Sequence, residues 1–292
     1  MFINDIDLVL RMIEIVKKFA DDAKLGGKAE TAAQRRSMQD ALDSVKQWAD
    51  TWGMQFNVKK CKVLHLGHNN SRQVYTMAGQ ALVETKVERD VGVMVSESLR
   101  PSEQCARAAR TANVVLGQIT RAFQYRDRHV FMRLYKQYVL PHLEFAVQAW
   151  SPWTAADKEI LEKVQRRAVG MVAGLAARSY ETRLEELGML TLEERRHQSD
   201  MVQTFKMIRG FDAVDPGQWF DHVNSSERMT RGVADPLNLK QKRARLELRR
   251  NFFSLRVVEH WNKVPYDLKR VNSVKAFKSG YKQFRKGLVT NA

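Results

Sequence analysis

The sequence predicts an α+β fold that is mostly helical. Three observations carry this. Between Phe19 and Leu25 two adjacent acids separate short apolar pieces, the pattern of a β-hairpin. Residues 54–95 break into short runs of β-formers divided by turn clusters. From Pro101 onward apolar residues recur at spacings of three and four, the period of a helix.

Residues 1–18 are apolar without a clean period, and Asn4 is placed to cap a helix starting at Asp5. In the hairpin, Phe19 and Ala20 end one strand, Asp21 and Asp22 take the turn, and Ala23 to Leu25 return. Asp suits turns because it tolerates unusual backbone angles and bonds its own backbone. Adjacent carboxylates repel, so a cation must offset them. A hard divalent ion takes oxygen ligands, and a pair of such ions clamps both oxygens of a phosphoryl transfer. Alone, an Asp-Asp turn is more often a solvated loop.

Residues 30–52 read as a helix with Met38, Leu42, Val45, Trp48 and Trp52 on one stripe, and Gly53 stops it. Both tryptophans are expected in the core. Val58 to Leu66, Gln73 to Met77, Ala81 to Val83 and Asp90 to Val95 are expected as short antiparallel strands. Cys61, His65 and His68 have spacings that suit zinc, but no fourth ligand is near in sequence, so a zinc site is not expected.

Ser102 caps a helix with the stripe Cys105, Ala109, Ala112, Leu116, Ile119 and Phe123, while Arg107, Arg110 and Arg121 share another face. A helix from about Asp127 to Val139 carries Phe131, Leu134, Tyr135 and Tyr138, and Pro141 ends or kinks it. The two tyrosines suit base stacking, yet at helical spacing core is the better reading. Thr154 and Thr191 cap further helices, the first burying Ile160, Leu161, Val164, Ala168, Met171 and Leu175. Gly188 and Gly210 close helices. Residues 211–239, punctuated by Asp-Pro-Gly and Asp-Pro, read as a linker. Beyond it Phe253, Val257 and Trp261 suggest one helix, and Ser273 caps another with Val274, Phe277, Tyr281 and Phe284 on its stripe.

Across 292 residues the formal net charge is +16, and hydrophobic residues make up 44%. The apolar share supports real cores, and the charge favours a polyanionic partner. Residues 240–292 hold 15 Lys or Arg against 3 Asp or Glu, which is 12 of those 16 charges. Lys240, Lys242, Arg243, Arg245, Arg249 and Arg250 form the dense part. They read either as a solvated helical surface or, the favoured reading, as an electrostatic footprint for nucleic acid. Apolar runs are too short for a membrane span, and Asp5, Asp7 and Glu14 interrupt the first stretch, so no signal peptide is expected. Two cysteines, Cys61 and Cys105, suit free thiols in a reducing compartment, nuclear or cytoplasmic rather than secreted.

Phe19-Ala20-Asp21-Asp22, the tryptophan-bearing helix, and then Met54 to Gly67 resemble the last part of a reverse transcriptase palm, specifically that of the non-LTR (LINE-type), jockey-like retrotransposon enzymes. Further segments are similar to the same family: Asp90-Val91-Gly92-Val93, Leu140 to Phe145, Gln148 to Pro152, Val164 to Ala168, and Val257 to Asn262. The resemblance implies a partial palm over residues 1–100, a helical thumb over 101–150, a helical extension over 151–210, the linker, and a basic helical region over 240–292. It implies that Asp21 and Asp22 help to hold two Mg2+ ions, with a third Asp from an earlier strand that this sequence does not carry. It implies a role for Lys60 in protonating the leaving pyrophosphate, a primer-grip turn at Leu66 and Gly67, and an RNA template with a DNA primer, or an RNA–DNA duplex, as partner. Fingers and endonuclease are not represented, and neither is the cysteine-bearing knuckle of some relatives. The expectation is therefore a truncated RNA-directed DNA polymerase with little activity alone. The alternatives are a non-catalytic nucleic-acid-binding module and a retrotransposon remnant.

Overall fold

Thr31 opens the longest helix of the first part of the chain through a reciprocal cap. Its hydroxyl accepts from the Gln34 amide at 3.2 Å while the Gln34 side chain accepts from the Thr31 amide at 2.9 Å. The computed structural model describes residues 5–10, 13–67, 69–125, 127–223 and 235–290. The chain falls into two compact units, Met1–Glu103 and Gln104–Ala292. The protein is α+β.

In the first unit α1 (Ile6–Val9) leads to an antiparallel hairpin, β1 (Ile15–Phe19) and β2 (Asp22–Gly26), followed by α2 (Ala32–Thr51). Asn4 lies outside the described residues. Leu42, Val45 and Trp48 of α2 are buried with Ile6, Leu10, Tyr75 and Met77, and Val16 and Leu25 of the hairpin pack on them. Trp52 departs from the expected stripe. It sits at the C-cap and is 57% exposed, because the helix ends beneath it and Gly53 turns the chain at φ +65°.

Six short strands follow: β3 (Lys62–Leu64), β4 (Thr76–Met77), β5 (Gln80–Ala81), β6 (Val83–Thr85), β7 (Val87–Asp90) and β8 (Val93–Ser96). The pairs β4–β5 and β7–β8 are antiparallel, whereas β3–β6 is parallel, against the expectation of antiparallel strands throughout. The expected strands are also reshaped: Gln73 to Met77 is extended only at Thr76–Met77, and Ala81 and Val83 belong to different strands, β5 and β6. Val58–Lys60 is a 3-10 turn, so Lys60 stands on a turn and only Lys62–Leu64 is extended. Asp90 to Val95 is not one strand but the end of a hairpin. Val91 (φ 44°) and Gly92 (φ 89°) make its two-residue turn, and the apparent alternation straddles it. Arg72 grips this region from outside, bonding Glu84 and, at 2.6 Å, Glu97.

The second unit is helical: α3 (Ser102–Ala122), α4 (Arg128–Leu134), a π-turn at Tyr135–Val139, α5 (Leu140–Glu144), α6 (Val147–Trp150), α7 (Ala155–Gly170), α8 (Tyr180–Leu187) and α9 (Leu192–Ile208). After these come α10 (Glu247–Arg250), α11 (Phe253–Arg256), α12 (Val258–Asn262), α13 (Tyr266–Lys269) and α14 (Val274–Thr290). The π-turn is where Pro141 acts. Proline donates no backbone hydrogen bond, and the preceding amide, Leu140, reaches back five residues to the Tyr135 carbonyl. Tyr135 is thereby turned into the core, its hydroxyl donating to Gln165 at 2.9 Å. Gln165 in turn donates to the Tyr180 hydroxyl at 2.9 Å, and that hydroxyl bonds Glu162. Burial, reinforced by the Glu162 carboxylate, pushes the Tyr180 phenol far above its ordinary range.

Three side chains expected in the core of this unit are exposed: Phe123, Tyr138 and Ile160. Phe123 follows the last turn of α3, Tyr138 is rotated outward by the π-turn, and Ile160 lies off the line of Leu161, Val164 and Ala168. The helix expected across Phe253, Val257 and Trp261 is two short ones, α11 and α12. Their buried faces join Phe205 of α9 and Phe277 and Tyr281 of α14 in one aromatic core. Within the expected linker, Phe220 and Leu239 are buried in that same core, and residues 224–234 lie outside the described residues. A Cβ at Gly280 would meet Leu268 Cδ1 at 2.5 Å, so a larger residue there would require the Leu268 side chain to move.

Candidate metal and nucleic-acid site

The β1–β2 hairpin pairs Phe19 with Asp22, so its loop is Ala20 and Asp21 and the second acid is already in β2. The turn is therefore one residue earlier than the sequence suggests. Ala20 carries it at φ +53°, a left-handed conformation that disfavours any side chain and that glycine usually occupies. Arg72, Ala78, Val91, Leu99 and Ala146 share a positive φ, so this conformation does not single out the turn.

Asp21 and Asp22 are both exposed, and neither forms a hydrogen bond or ion pair through its side chain among the described residues. Of the hairpin cations, Lys18 pairs with Asp7 at 2.8 Å and Lys24 with Asp90, while Lys17 on β1 pairs with no acid among the described residues. Two neighbouring carboxylates thus stand without a neutralising side chain. Mg2+ is commonly held by one or two carboxylates, keeping water and phosphate oxygens for the rest of its shell. The donor set here fits that ion. No group of three or more His, Cys, Asp or Glu side chains gathers among the described residues, so a metal bound here would take most of its ligands from water or substrate.

A cavity of about 940 Å³ opens beside the hairpin in the first unit. Asp21, Asp22, Lys60, Leu66 and Gly67 are all among the residues that line it. Its floor is the apolar face of α2, including Leu42 and Trp48. The Trp48 indole N–H is buried with no hydrogen-bond acceptor among the described residues. Lys60 is exposed at the end of its 3-10 turn. Gly67 has φ +86°, and a Cβ there would meet nothing within 4 Å. Its glycine is needed for the backbone angle, not for the close approach of another chain segment.

Neither candidate zinc ligand that is described stands free. The Cys61 thiol donates to the Asn57 carbonyl at 3.5 Å, and burial raises its pKa. His65 is buried and stacks on Tyr75, with ring centroids 6.3 Å apart. His68 lies outside the described residues.

The arginines of α3 fall as the helical period requires, Arg110 and Arg121 exposed and Arg107 half-buried. Residues 240–250 run mostly without regular structure until α10. Lys242 pairs with Asp221 at 3.0 Å, and Arg249 lies over the Phe252 ring at 4.9 Å. Lys240, Arg243, Arg245 and Arg250 are exposed. No helix among the described residues is long and apolar enough to cross a membrane.

A further basic cluster escaped the sequence reading. Lys136 of the π-turn and Lys275, Lys278 and Lys282 of α14 line a second cavity with Arg195 of α9. Only the spacing of the last three along one helix signalled it; packing supplies the rest. Comparison with protein-family models, with curated proteins and with solved structures finds no match.

Proposed function

We propose that the chain is the C-terminal part of a non-LTR-type reverse transcriptase, holding the end of the palm, the thumb and a basic helical tail. In this reading Asp21 and Asp22 bind Mg2+ at the primer terminus, Lys60 faces the leaving pyrophosphate, and Leu66 and Gly67 border the primer. The observation that carries it is the shared cavity: two carboxylates without a partner among the described residues, lining the same cavity as Lys60, Leu66 and Gly67. A further strand bringing a third carboxylate would complete a two-ion site of the kind that clamps both oxygens of a nucleotidyl transfer.

The test is primer extension on an RNA template with Mg2+, with this chain alone and with Asp21→Asn. Weak extension that the substitution abolishes supports the polymerase reading. The second reading, a nucleic-acid-binding module without catalysis, is favoured by the lack of a third acid beside Asp21 and Asp22 among the described residues. Salt-sensitive binding with no extension, unaltered by Asp21→Asn, selects it.

A further inference from the structure

The lysine-lined cavity of the second unit has a volume of about 360 Å³ and is bounded by the π-turn, the Gly188–Leu190 segment, α9 and α14. Lys136, Lys275, Lys278 and Lys282 are exposed around it, and none of their ammonium groups has a partner among the described residues. Arg195, the fifth cation, is held by Glu144 at 2.8 Å. No Asp or Glu is among the lining residues.

Several other cations of the same bundle have acidic partners. Lys158 pairs with Glu193, Lys206 with Asp212, Arg256 with Asp200 and Arg285 with Glu194. At this cleft four lysines gather with no acidic residue in the lining. Like charges so arranged repel and raise the local potential, and a polyanion entering the cleft relieves this.

The arrangement also sets a length. Lys275, Lys278 and Lys282 lie at i, i+3 and i+7 on α14, flanking the buried stripe of Phe277 and Tyr281. Seven residues of helix span about 10 Å, over which one strand of a duplex presents about three phosphates. Lys136, on the π-turn, lines the same cavity. Gln198 braces the helix by donating to the Lys278 carbonyl at 3.4 Å, and the Ser279 hydroxyl adds a neutral donor to the lining.

We infer that this cleft binds the phosphate backbone of a nucleic-acid strand, through Lys136, Lys275, Lys278 and Lys282. The inference rests on the nucleic-acid reading above but not on polymerase activity. It concerns residues apart from the α3 arginines and the 240–250 run.

The experiment is fluorescence anisotropy of a labelled RNA–DNA duplex against the full chain over a salt series. The triple variant Lys275→Gln, Lys278→Gln, Lys282→Gln is expected to lower the slope of log affinity against log salt by about 2 to 3, since each lost phosphate contact removes about 0.9. Affinity at low salt should fall at least tenfold, with the melting temperature unchanged. The matching triple to Arg should keep the wild-type slope. A control triple with equal charge loss in the first unit, Arg36→Gln, Lys46→Gln, Lys59→Gln, should leave the slope nearly intact. An unchanged slope in the cleft triple overturns the inference, as does an equal drop in the control. Tighter binding to phosphatidylserine vesicles than to the duplex, lost in the cleft triple, overturns the choice of partner. Duplex binding through the cleft without primer extension supports this inference and favours the non-catalytic reading of the first unit. Extension with a slope indifferent to the cleft sinks this inference alone.

Discussion

The ammonium of Lys269 lies 2.6 Å from the carboxylate of Asp235 and is wholly shielded from solvent. It also donates to Asn238 at 2.7 Å and stands 5.5 Å from the centre of the Trp261 ring. Trp261 donates its indole N–H to the Leu237 carbonyl at 2.8 Å. A buried ion pair thus ties the segment after residue 234 to the aromatic core of α12 and α14.

Breaking that pair should be costly. Lys269→Met leaves Asp235 mostly buried and uncompensated, which costs about 3–5 kcal/mol in comparable sites. Replacing both, Lys269→Met with Asp235→Leu, should recover most of the loss. Urea denaturation of the three proteins checks this; equal stability of the single and double variants would show that the carboxylate finds other partners.

Asp21→Asn should not destabilise the hairpin in the absence of divalent ions. The substitution removes repulsion between two adjacent carboxylates that have no cationic partner, so the melting temperature should hold or rise slightly. With Mn2+ present, line broadening of the amides around the β1–β2 turn should be strong in the wild type and weak in the variant. A drop in melting temperature in metal-free buffer would contradict the unpaired geometry.

The two thiols should react at very different rates. Cys105 is fully buried, and burial, assisted by Asp157, pushes its pKa up to about 12. Cys61 is only half-buried. A chromogenic disulfide should therefore titrate one thiol in the native protein and two in denaturant.

His197 and His260 meet edge to face, ring centroids 4.8 Å apart. Burial lowers both pKa values, the His260 ring lowers that of His197 further, and Lys263 and Arg285 press the same way on His260. Asp200 and Glu194 oppose the shift on His197, and Glu259 opposes it on His260, without reversing either. The unfolded chain binds protons near the ordinary imidazole value of about 6.5, above the folded values, so it takes up more protons within that window. Stability is then full above about pH 6.5 and falls as pH drops through the folded pKa values. His260→Gln should flatten this acid slope in melting experiments between about pH 8 and about pH 5; an unchanged slope would place the proton uptake elsewhere.

The parts of the fold that were legible in the sequence are those with local causes. The hairpin is marked by acids between β-formers, α2 by its apolar stripe, and Gly53, Gly188 and Gly210 do stop helices at positive φ. Misreadings fall where a local pattern meets an end or a bend. Trp52 and Phe123 continue a stripe past the last turn of their helices, and Tyr138 follows a period that the π-turn breaks. Asp90 to Val95 alternates only because a two-residue turn preserves the count. In the candidate site the identities of Asp21, Asp22, Lys60, Leu66 and Gly67 came from motif resemblance. Their common cavity is a tertiary fact that no spacing encodes, and so is the meeting of Lys136 with α14.

The β1–β2 hairpin has a wider consequence. Its strands bond each other and no further strand among the described residues. A lone two-stranded ribbon is marginal in water. Its fixed shape is therefore borrowed from Val16 and Leu25 seated on α2. Trimming either side chain to alanine should let solvent deuterium reach the ribbon's amides sooner and loosen the spacing of two acids that neither side chain touches.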